Sequence, residues 1–81
     1  GEPMHILIAI AELHRQQVRV TPRVIARAVG ADEYAALARI IEFCIGGYVS
    51  FRRDDNLPLI DTPLSLTESA QQQISGAVVE V

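Results

Sequence analysis

The 81-residue chain contains one cysteine, no tryptophan, and arginine in place of every lysine. No apolar run reaches the roughly 20 residues needed to span a bilayer. The early run Met4–Leu13 lacks a basic leader and a small-residue cleavage site, so it reads as a helix and not as a secretory signal. A single thiol, Cys44, excludes an internal disulfide and a thiolate metal cage. Its place in an apolar helical pattern makes it a small core residue, in a reducing, cytoplasmic setting. There is no Gly-rich phosphate loop: the pair Gly46–Gly47 follows a helical stretch and reads as its stop. His5 and His14 are nine apart, about 180° around one helix, and cannot share a metal; the first reads as partly buried, the second as solvated. Asp54 and Asp55 stand in a turn without a histidine partner. No nucleophile, base and orienting group converge, so catalysis is excluded and neither cofactor nor metal is expected.

What is present is an uneven charge. Net charge is −3, yet residues 1–30 carry four arginines against two glutamates, +2, and residues 31–81 carry −5. A dedicated nucleic-acid module is usually basic overall, and this chain has only a basic zone. Half the residues are apolar, ample for a core, and the length allows one domain spanning 1–81.

Helices are expected at about 3–17, 22–29, 32–45 and 67–76, with a hairpin at about 48–66. In the first, Ile6, Leu7 and Ile8 alone span about 200° of the cylinder, wider than one amphipathic stripe, which points to a partner chain. Val18–Val20 alternates like a short strand. Thr21 is an N-cap with Pro22 at the first helical position, Val24, Ile25, Ala28 and Val29 turn inward, and Gly30 ends the helix in a left-handed turn. Asp32 caps the next helix, Glu33 suits its first turn, and Ala36, Ile40 and Phe43 face in. Tyr48–Phe51 alternates as a strand, and the stretch Leu57–Leu66 should hold a return strand, needed near Leu64–Leu66 and interrupted by Pro58 and Pro63. Thr67 caps a last helix with Ala70 and Ile74 inward.

Three motifs in order then match a known family. Thr21, Ile25, Ala26, Val29 and Gly30 meet the pattern T-x-x-x-[IL]-A-x-x-[LV]-G. Gly47 follows seventeen residues later in "GGYV", and "LSLTESA" (Leu64–Ala70) follows the hairpin. In this the chain resembles winged helix-turn-helix regulators of the multiple-antibiotic-resistance type, over nearly its whole length. The resemblance implies an α+β, mostly helical fold and a duplex-DNA partner, with the third helix in the major groove and the wing reaching the neighbouring groove. The residues it offers for DNA are Thr21, Arg23 and Arg27 on the second helix, Tyr34 and Arg39 on the third, and Arg52 and Arg53 in the wing. For phosphates one copy offers only Arg23, Arg27, Arg52 and Arg53, which bind weakly, so a two-fold dimer is expected.

The third helix departs from the family's pattern. Asp32 and Glu33 stand where phosphates would approach, and no Arg, Lys, Asn or Gln fork occupies the centre of the outward face. Leu37, Ile41 and Ile45 instead form an apolar stripe at i, i+4 and i+8. The alternative use of the scaffold is therefore protein contact or oligomerisation, through Leu37, Ile41 and Ile45 and through Ile6, Leu7 and Ile8.

Overall fold

The computed structural model describes the backbone of residues 2–79 and the side chains of residues 4–75. The elements are α1 (Glu2–Arg15), α2 (Pro22–Val29), α3 (Glu33–Ile45), β1 (Val49–Phe51), a 3-10 turn (Leu59–Asp61), β2 (Leu64–Leu66) and α4 (Glu68–Val79). Among the described residues no helix is long and apolar enough to cross a membrane.

The first three helices end by the same device. At each C-terminus one residue turns left-handed, its N–H bonds three back, and the next N–H bonds five back, which satisfies carbonyls the helix leaves open. Gln17 (φ 63°) does this for α1, with Gln17 N–H to His14 O at 2.9 Å and Val18 N–H to Leu13 O at 3.0 Å. Gly30 (φ 70°) does it for α2, with Ala31 N–H to Ala26 O at 2.9 Å. For α3 the left-handed residue is Gly47 (φ 86°), while Gly46 is still right-handed. Tyr48 N–H reaches Phe43 O at 2.8 Å, and the two rings pack edge to face at 6.4 Å, the apolar contact that accompanies this motif. A Cβ at Gly30 would meet nothing within 4 Å. Gly30→Ala is thus expected to cost about 1–2 kcal/mol through backbone conformation alone, seen as a lower denaturation midpoint with an unchanged m-value.

The caps fall where the sequence places them. Thr21 Oγ1 accepts from Val24 N–H at 3.2 Å behind Pro22, and Asp32 Oδ2 accepts from Tyr34 and Ala35 N–H at 3.1 and 3.0 Å. Thr67 Oγ1 accepts from Ala70 N–H and donates to Gly47 O at 2.6 Å, tying the start of α4 to the end of α3.

β1 and β2 pair antiparallel, Val49 opposite Leu66 and Phe51 opposite Leu64. Val18–Val20 is not a strand, but Val20 O accepts from Leu64 N–H at 2.9 Å, so the connector lies along the far edge of β2. The core is Leu7, Ile10, Val20, Ile25, Ile40, Val49 and Leu64, one or two residues from each of six segments. Ala26 and Ala36 are buried where α2 crosses α3.

Several expectations change. α1 stops at Arg15 and not near 17, because Gln16 and Gln17 form its closing turn, and α4 runs on to Val79. Ala28 is exposed; Ala26, two residues earlier, takes the inward place. Cys44 is exposed because the inward face of α3 is the arc of Ala36, Ile40 and Phe43, which leaves position 44 to one side. His5 is exposed where partial burial was expected; His14 is exposed as expected, and its Nε2 also donates to Leu64 O at 3.1 Å and links α1 to β2. The apolar girth of α1 is mostly covered within the domain. Leu7 and Ile10 are core, Ile6 and Leu13 pack on it, and Ile8 remains 44% exposed.

Candidate nucleic-acid interface

α3 sets the centre of the candidate surface. Ala36 and Ile40 bury one side, so at about 100° per residue the opposite side carries Tyr34, Ala38, Ile41 and Ile45. Tyr34 is 73% and Ile45 82% exposed; Ala38 is exposed and Ile41 half-buried. These four are spaced four, three and four apart, the seam of a helix that meets another surface. Leu37 is half-buried beside them. Arg39 is not in this seam. It lies on the flank toward α1, where it borders an open groove of about 240 Å³ shared with His5, Ile6, Val29 and Ala35. Its Nη1 lies 3.9 Å from Glu42 Oε2.

The two anions that open α3 both have structural partners. Asp32 caps the helix, where the dipole favours a negative charge. Glu33 Oε2 accepts from Arg23 Nη1 at 2.9 Å. Arg23 is engaged further: its Nε and Nη2 donate to Asp61 Oδ1 and Oδ2 at 2.8 and 3.2 Å. The two-pronged bond to Asp61, with a smaller contribution from Glu33, raises the arginine's pKa, and the same bond holds the Asp61 carboxyl below its ordinary range. Arg23, although its side chain is 38% exposed, is therefore held in ion pairs and does not stand as an open phosphate clamp. Thr21 is buried and its hydroxyl is occupied by the cap, which removes it from the surface. Leu7, 4% exposed, is likewise a core residue and not part of an outer apolar patch.

The other arginines are better placed. Arg27 is exposed on α2, one turn along from Arg23. Arg52 and Arg53 are exposed where the chain leaves β1, and among the described residues none of these three makes an ion pair. Arg52 and Arg53 line an open cleft of about 640 Å³ with Arg19, Asp54, Asp55, Asn56 and Pro63. Sequence patterns gave Arg19 no role. The available signal was the alternation of Val18–Val20: with Val20 inward, its neighbour points out.

Three helices, the second and third joined by a glycine-centred turn, then a two-stranded hairpin and a further helix, define a winged helix-turn-helix domain. The same fold is seen in the crystal structure of the adhesin competence repressor (AdcR) of Streptococcus pyogenes, with a TM-score of 0.72 over 96% of this chain. Sequence identity is 22%, so the likeness is one of fold, and this chain spans 54% of that protein's length. No protein-family profile and no curated protein matches the sequence.

Proposed function

We propose that this domain binds duplex DNA and serves as the DNA-contacting part of a dimeric, cytoplasmic transcriptional regulator. The observation that carries the reading is the exposed set of Arg27, Arg52 and Arg53, with Arg19 beside the last two, on a winged-helix frame shared with a repressor. Arginines of this kind position a protein on phosphates without reading sequence. Base contact would fall to α3, where Tyr34 supplies a hydroxyl, Arg39 a guanidinium on the flank, and Ala38 and Ile41 apolar surface suited to thymine methyls. So few forks give modest discrimination from one copy. Two copies on paired half-sites double the phosphate contacts, and the acidic net charge makes that doubling matter.

A second reading, docking of a protein against α3, is favoured by the Tyr34–Ala38–Ile41–Ile45 seam. Ile45→Lys separates the two. At 82% exposure the change disturbs the fold little, and a cation near the end of α3 complements the helix dipole. If α3 faces DNA, the salt slope of duplex binding steepens by about 0.9 per bound copy, because each lysine neutralises one more phosphate. If α3 faces a protein, the lysine breaks the apolar contact, and light scattering shows a lower mass. A parent protein that binds no random duplex even at low salt would end the first reading.

A further inference from the structure

Arg23 stands in the first turn of α2, the end of the helix that meets the DNA backbone in helix-turn-helix complexes. A guanidinium fork accepts a carboxylate or a phosphate with the same two parallel bonds. Here the fork holds Asp61, and a further N–H holds Glu33, so three of five donors are in use. One cation and two carboxylates leave this locus at −1, in a place where an open arginine would attract phosphate.

Asp61 is not a loosely attached partner. It ends the 3-10 turn Leu59–Asp61, whose middle residue, Ile60, is buried. Asp61 N–H bonds Pro58 O at 3.0 Å, and the buried Thr62 closes the turn with its own bond to Pro58 O at 2.9 Å. The turn packs against α2, so the returning arm of the wing delivers its carboxylate to a fixed point. A tethered group competes at a high effective concentration.

We propose that Asp61 acts as an intramolecular phosphate mimic: it occupies the Arg23 fork in the free domain and so restrains DNA binding at the start of α2. The proposal rests on the DNA-binding reading above. It makes the wing an inhibitory arm as well as a contact, and it assigns a role to a carboxylate 38 residues away from its arginine. The carboxyl is held low by Arg23, so it stays charged through the neutral range and release comes from competition by phosphate, not from titration.

A double-mutant cycle on the full chain tests this, with duplex binding followed against salt. Asp61→Asn is expected to steepen the slope by about 0.9 per bound copy, since each freed fork neutralises one further phosphate. The same change in the Arg23→Gln background should leave the slope unaltered, and Arg23→Gln alone should match the parent. An equal steepening in both backgrounds would mean that a repelling carboxylate had merely been removed, and the proposal falls. It falls also if Arg23→Gln alone flattens the slope, since the fork would then already be on DNA. Asp61→Ala repeats the cycle without an amide that can refill the fork, and thermal unfolding verifies that each variant is folded. Failure of the parent and Asp61→Asn alike to bind duplex would remove the DNA reading itself, a result distinct from binding without the coupling.

Discussion

Replacing Arg52 and Arg53 together with glutamine is expected to weaken duplex binding roughly 60-fold per bound copy at 0.1 M salt and to flatten its salt slope by about 1.8 units per copy, the counterion term for two phosphate contacts. The neighbouring Asp54 and Asp55 suggest in sequence that the pair neutralises itself. The structure places these groups otherwise. Asp54 Oδ1 accepts from Asn56 N–H at 2.9 Å, which makes it a turn-former, and no ion pair joins either arginine to either aspartate among the described residues. Both arginines are exposed, so exchange for glutamine should alter folding stability by less than about 0.5 kcal/mol. Arg52 keeps its backbone bond to Pro63 O at 2.8 Å, which extends the hairpin and does not involve the side chain. Fluorescence anisotropy at four or more salt concentrations measures the slope directly. A slope within half a unit of the parent would show that the wing is not on the phosphates.

The local signals in this sequence were legible because each is set by a few neighbouring residues. Thr21–Pro22, Asp32 and Thr67 opened their helices, Gly30 turned left-handed, and the two short strands formed at Val49–Phe51 and Leu64–Leu66. A cap or a left-handed glycine depends on one turn of chain, so pattern suffices. The misplaced residues are those whose surroundings come from elsewhere. Ala28 and Cys44 have the chemistry of core residues, and only the rotation of their helices decides against them. Gln17 carries no mark of the left-handed turn it makes, because glycine is the usual sign.

The candidate surface was less legible than the fold for the same reason. Arg23 and Arg27 look equivalent in sequence, four apart on one helix. They differ because Asp61, far along the chain, is brought to the first by a 3-10 turn within what read as an interrupted strand. Asp32 and Glu33 look like two anions facing DNA. One is a helix cap and the other an arginine's partner, so their presence at the tip follows from how α2 and α3 are joined. Placing a charge in sequence does not settle whether it is available to a ligand, since pairing is a long-range property.

Every assignment on α3 depends on its rotation, and Ile40 and Ile45 test that rotation within one helix. Ile40 is 0% exposed at the centre of the core; Ile45, five residues on, is 82% exposed. Truncating a buried isoleucine to alanine costs about 2–5 kcal/mol through lost transfer energy and the cavity left behind. At about 0.05–0.15 kcal/mol per residue, a domain of this length has only some 4–12 kcal/mol in total. Ile40→Ala is therefore expected to remove a large share of the stability and to lower the urea midpoint sharply. Ile45→Ala should stay within about 0.5 kcal/mol of the parent. DNA gives a second readout. On the proposed function duplex binds only the folded form, so saturating duplex should recover part of the loss in Ile40→Ala by mass action, without changing the salt slope. Equal midpoints for the two variants would mean that α3 is turned from the orientation described, and Tyr34, Ala38 and Ile41 would then lose their place on the outward face together.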